Sequence, residues 1–103
     1  MALDPENGAY LDSLGWALYR LDRLERAEAQ LRKAVTKIGT NGVVLDHLGD
    51  VLKRRGAVRE ALDYWRKALE GDDESDELDR TVVQRKIREA QAGLDAAQNK
   101  QQP

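Results

Sequence analysis

The stretch Asn7-Gly8-Ala9-Tyr10-Leu11-Asp12-Ser13-Leu14-Gly15-Trp16-Ala17-Leu18-Tyr19-Arg20 returns, 34 positions later, as Asn41-Gly42-Val43-Val44-Leu45-Asp46-His47-Leu48-Gly49-Asp50-Val51-Leu52-Lys53-Arg54. Laid over each other, the two copies share the opening Asn-Gly, Leu11 with Leu45, Asp12 with Asp46, Leu14 with Leu48, Gly15 with Gly49, Leu18 with Leu52 and Arg20 with Arg54. The match continues through Ala27 over Ala61 and through Arg32-Lys33-Ala34 over Arg66-Lys67-Ala68. A fixed period of this length marks a chain built from repeated supersecondary units that bury their apolar faces on one another.

Each unit carries two apolar stripes at helical spacing. In the first copy, Leu11, Leu14, Leu18 and Leu21 form one stripe, and Ala27, Leu31, Ala34 and Ile38 form the next after a break. Each copy is therefore expected to be a helical hairpin. Asn7 and Asn41 stand where an N-cap is needed. Gly56 suits the left-handed residue that ends a helix, and Asp22, at the same place in the first copy, is expected to cap the following helix with Glu25 completing a capping box. Gly15 and Gly49 lie among leucines, where glycine costs about 1 kcal/mol relative to alanine unless a neighbour needs the space. Close helix approach against Ala27, Ala34, Ala61 and Ala68 is the expected reason.

Leu11-x-x-Leu14-Gly15-x-x-Leu18 followed by Ala27-x-x-x-Leu31-x-x-Ala34 resembles the tetratricopeptide repeat pattern, and Leu45, Leu48, Gly49, Leu52, Ala61, Trp65 and Ala68 repeat the resemblance. The sequence departs from that pattern with Leu where the family often has Trp or Tyr, and with Gly39 and Asp73 where it often has Pro. The resemblance implies an all-α fold of about five helices, in antiparallel hairpins stacked as a right-handed α-solenoid. The expected organisation is a remnant of a preceding repeat over residues 1–7, repeats over 8–41 and 42–75, a capping helix over 76–99 and a disordered tail over 100–103.

The ends carry their own signals. Asp4-Pro5-Glu6-Asn7 looks like the close of an earlier repeat, so the chain reads as a piece of a longer protein that continues upstream. After the acidic loop Gly71–Ser75 comes a single undivided helix with Ser75 as its expected cap and a narrow apolar stripe of Leu78, Val82, Ile87, Ala90, Leu94 and Ala97. Tyr10-Leu11-Asp12-Ser13-Leu14-Gly15-Trp16-Ala17 resembles the closing repeats of long bacterial tetratricopeptide proteins, several of them from the cell envelope, while the sequence itself leaves the compartment open.

The 103 residues are 41% hydrophobic, 35% charged and only 5% aromatic, with no phenylalanine and two prolines, a composition for one small helical domain. With 17 basic and 19 acidic residues the formal charge is −2, which gives no support to phosphate-backbone binding, so nucleic acid is not an expected partner. The absence of cysteine removes disulfides, thiolate metal sites and thiol nucleophiles. No apolar run approaches the ~20 residues of a membrane span, and the start shows no signal core, so the chain as given reads as soluble without direct membrane insertion.

The lone histidine, His47, has only Asp46 and Asp50 at helical spacing beside it, too little for a metal centre or a general base. The sequence shows no strained nucleophile turn and no glycine-rich phosphate loop. Neither catalytic nor cofactor- or metal-binding residues are expected, and the chain reads as non-enzymatic.

In the family that the sequence resembles, the first helix of each hairpin lines a concave surface on which a partner lies. Carried over, the resemblance assigns partner binding to Ala9, Asp12, Ser13, Trp16, Tyr19 and Arg20 in the first copy and to Val43, Asp46, His47, Asp50, Lys53 and Arg54 in the second. Trp16 is the expected anchor, its alternative role being to bury against an upstream repeat. Acidic Asp12, Asp46 and Asp50 replace the Lys and Asn that clamp acidic chaperone tails, so a basic or apolar protein or peptide is the expected partner. A second expectation, from another class, is self-assembly or a spacer role: the upstream end is expected to expose Leu11 and Leu18, so that the isolated piece can form a homodimer.

Overall fold

The structure is a computed structural model that describes residues 7–39, 41–71 and 78–101, with side chains in the last helix as far as residue 98. The chain is all-α, and no strand occurs among the described residues. Helix α1 (Gly8–Arg20) pairs with α2 (Leu24–Ile38), α3 (Gly42–Arg54) pairs with α4 (Val58–Glu70), and α5 (Arg80–Gln101) lies on α4. The hairpins are joined by α2 packing on α3, and the seam between α1 and α3 is thin.

Local chemistry sets these boundaries. The Asn7 side chain accepts from the Tyr10 N–H, and the Asn41 side chain accepts from both Val43 and Val44. Each hairpin turn repeats one hydrogen-bond scheme. Asp22 N–H donates to Tyr19 O and Arg23 N–H to Leu18 O, as Gly56 N–H donates to Lys53 O and Ala57 N–H to Leu52 O. This is a Schellman closure, and it requires a left-handed residue. Gly56 supplies it at φ 89 and Asp22 at φ 63. Asp22 therefore forms no capping box. Arg23 is the residue before α2 and no side chain caps that helix, while the Asp22 carboxylate turns to Arg54 at 2.6 Å. Because Asn41 satisfies two N–H groups of a central helix, Asn41→Ala is expected to cost about 1 kcal/mol, read as a lowered urea midpoint at unchanged m-value.

The main core is built around Trp65, fully buried, with Leu31, Leu48, Val51, Leu52 and Val83, and a smaller cluster joins Leu11, Ala34 and Val44. Leu11 is thus buried and Leu18 packs against the core, so neither is left bare at the upstream end as expected. From the same stripe Leu21 is 69% exposed. The two helix glycines admit large side chains, not only alanines. A Cβ on Gly15 would lie 2.6 Å from Leu31 Cγ, and one on Gly49 would overlap the Trp65 indole. On the outer ridge Arg32 bridges Glu28 at 2.9 Å and Glu60 at 2.8 Å, and Arg55 reaches Glu28 at 2.8 Å. Burial alone would raise the Glu28 pKa, but the two guanidinium groups outweigh it and hold the carboxyl below its ordinary value.

Of the expected stripe, Leu78, Ile87, Ala90 and Leu94 stay at the core, but α5 differs in its start and at two stripe positions. It starts at Arg80, where Asp79 Oδ1 accepts from the Val82 N–H, whereas the expected cap Ser75 lies outside the described residues. Val83 rather than Val82 enters the core, with Ile87, Ala90 and Leu94 on the same side, and Ala97 is exposed. The helix carries Lys100 and Gln101, which were expected in a disordered tail. Gln102 and Pro103, like residues 1–6, lie outside the described residues.

Candidate functional site

Two clusters of side chains meet on the wall formed by α1, α3 and α5. In the first, His47 Nδ1 lies 2.8 Å from Asp12 Oδ1, both side chains being less than one-fifth exposed. The Trp16 ring stacks on the imidazole at a centroid separation of 4.0 Å and on Tyr19 at 4.8 Å. Arg54 lies over the outer neighbour, 5.4 Å from the Tyr19 ring centroid. Trp16 is therefore engaged with the following hairpin.

In the second cluster Lys86, from α5, places Nζ 2.9 Å from Asp46 Oδ1 and 3.0 Å from Asp50 Oδ1. One ammonium is shared by two largely buried carboxylates, which leaves a formal surplus of one negative charge. Burial alone would lower the Lys86 pKa, but the two carboxylates outweigh it and hold the lysine above its ordinary value. Asp50 is also raised, first by burial and then by Asp46, because Lys86 offsets only part of both. The two shifts agree on one picture: the lysine is fully matched and the carboxylate pair is not.

Between the clusters opens a cleft of about 290 Å³ lined by Tyr19, Asp50, Lys53, Arg54, Trp65 and Lys86. Of the residues proposed from sequence, Asp12, Trp16, Tyr19, Asp46, His47, Asp50 and Arg54 come together here, and Lys53 stands at the cleft's edge. Ala9, Ser13 and Arg20 are exposed and join neither cluster, while Val43 is half-buried against the core. Sequence reasoning missed Lys86, since α5 lies outside the 34-residue period and the period does not say which side chains of α3 it meets.

Asp12 and His47 form a pair, and the second neighbour of the imidazole ring is the flat face of Trp16. Among the described residues no group of three or more His, Asp or Glu side chains is placed to hold a metal ion. Among them, too, no helix is long and apolar enough to cross a membrane.

A sequence model of the tetratricopeptide repeat matches the chain twice, over residues 8–38 and 43–71, together more than half its length. No curated protein matches it.

Proposed function

Since the chain belongs to the tetratricopeptide repeat family, whose repeats generally mediate protein–protein interaction, we propose that it is a non-enzymatic scaffold that holds a partner polypeptide on the α1–α3–α5 wall. The observation that carries this assignment is the convergence of three helices on one continuous surface, with an aromatic stack (Trp16, Tyr19, His47) beside a cleft of mixed charge. Aromatic anchors next to a polar rim are what interface energetics favour.

The wall also refines the chemistry of the partner. Asp12 is matched by His47, and Asp46 and Asp50 share Lys86, so these acids do not form an open anionic strip. The single surplus negative charge at Asp50 faces a cleft that also presents Lys53 and Arg54. The partner segment that fits places an apolar or aromatic side chain on the Trp16–Tyr19 stack, one cation towards Asp50 and a polar or acidic group towards Lys53.

Trp16→Ala and Lys53→Glu test the assignment without touching the core. Quantitative pull-down from the native source is expected to show the same partners depleted at least ~10-fold by both changes, the loss of an interface anchor being about 1–2 kcal/mol or more. Lys33→Glu, on the exposed side of α2, is the control and is expected to leave capture intact. Partners retained by Trp16→Ala and Lys53→Glu alike would remove the wall from consideration.

A further inference from the structure

Trp65 is fully buried, yet its indole Nε1 has no hydrogen-bond partner, and among the described residues no other buried side-chain nitrogen or oxygen is left so. A donor taken out of water without an acceptor keeps the whole cost of its desolvation. The ring lies with its pyrrole side on Gly49, where an added Cβ would meet Nε1 first. Asp50 follows Gly49 on α3 and Lys53 stands one turn further on, and both line the cleft of about 290 Å³ together with Trp65, Tyr19, Arg54 and Lys86. The orphaned N–H is therefore on the side of the indole that borders the cleft.

The charges around the cleft say what would answer it. Arg54 is taken up by Asp22 and by the face of Tyr19, and Lys86 is shared by Asp46 and Asp50. Lys53 is exposed and has no ion-pair partner among the described residues. Its flexible four-carbon stem lets the ammonium swing aside to admit a group and then close on it. Water or a carboxamide would satisfy Nε1 but leave the ammonium unmatched, and an ammonium or alkyl group offers no acceptor at all. A carboxylate answers both, with one oxygen for the indole and one for the lysine.

We propose that the cleft is a carboxylate subsite, in which Trp65 Nε1 and Lys53 Nζ donate to an aspartate or glutamate side chain of the partner polypeptide. Trp65 is thereby a specificity-determining residue as well as the centre of the core. The inference rests on the wall being the partner's surface, and it adds which group that partner sets against Lys53.

The two indole N–H signals of the isotope-labelled full chain, from Trp16 and Trp65, read the test by nuclear magnetic resonance. Acetyl-glutamate methylamide, titrated at constant ionic strength, is expected to move the Trp65 signal downfield to saturation, and acetyl-glutamine methylamide to bind at least ~10-fold more weakly. Lys53→Gln is expected to raise the half-saturating concentration of the glutamate probe about ten-fold. Replacing Trp65 by its sulfur isostere, benzothienylalanine, keeps the ring and removes the donor. Glutamate binding, followed on the Lys53 backbone amide, is expected to weaken by about as much, while the melting midpoint stays level or rises because no partner within the fold is lost. A lower midpoint with unchanged binding would make the N–H a structural group and overturn the proposal. A Trp65 signal that no probe moves would overturn it too, even where the Trp16 signal responds; that outcome spares the wall, which the Trp16→Ala and Lys53→Glu pull-down decides on its own. Acetate is expected to bind more weakly than the blocked residue, whose backbone lies along the wall, and acetate binding as tightly would make a free acid the occupant and overturn the polypeptide assignment.

Discussion

Trp65→Ala is expected to cost about 3–5 kcal/mol, enough to leave a domain of this size largely unfolded at room temperature. The indole is completely buried, belongs to the same cluster as residues of α2, α3 and α5, and is the largest side chain of the core. Its ring also explains Gly49, where an added Cβ would overlap the indole edge. Gly49→Ala alone is therefore expected to lower stability by about 1–2 kcal/mol, the overlap outweighing the helix preference that alanine brings. With Trp65→Leu in place the overlap is gone, and Gly49→Ala is expected to become neutral or stabilising. A double-mutant cycle in urea, followed by circular dichroism, reads the coupling directly. An equal cost for Gly49→Ala in both backgrounds would show that the glycine serves some other purpose.

The second large effect is electrostatic. Lys86→Met keeps the length of the stem but leaves Asp46 and Asp50 facing each other at 17% and 15% side-chain exposure. Loss of the shared partner is expected to cost about 1–3 kcal/mol at pH 7, below the range for fully buried pairs because water still reaches the site. The sign of the pH dependence follows from Asp50, whose pKa burial and then Asp46 already raise. A carboxyl raised on folding gives its full contribution below the unfolded pKa of about 4 and loses it as pH climbs through the higher folded value. Without Lys86 the rise is larger, so the deficit of the variant is expected to be small near pH 4 and to grow towards pH 7. A deficit that stays constant from pH 4 to pH 7 would assign the loss to stem packing and not to charge.

What the sequence made legible was whatever repeats. Asn7 and Asn41, the hairpin breaks and the apolar stripes of α2 and α4 could be placed because each signal occurs twice in register, and the family match covers the breaks and the stripes. Other features escaped for identifiable reasons. Leucine at helical spacing does not say which neighbour covers it, so Leu21 falls in the apolar stripe of α1 although it is 69% exposed. Asp22 looked like a cap because aspartate often is one, but the Schellman closure needed its backbone and freed its side chain for Arg54. The wall was half legible: its residues on α1 and α3 follow from the period, whereas their charges were misjudged. Asp46 and Asp50 read as open acids until Lys86, from a helix outside the repeats, is seen between them.

Lys86 stands 40 and 36 positions along the chain from the carboxylates it joins, whereas the hairpin turns close over a few residues. A ribosome releases Asp46 and Asp50 well before their counter-ion, so the nascent second hairpin passes through a stage with an uncompensated acid pair on its inner side. The inner side takes on its mature electrostatic character only when the last helix has emerged and settled on the stack.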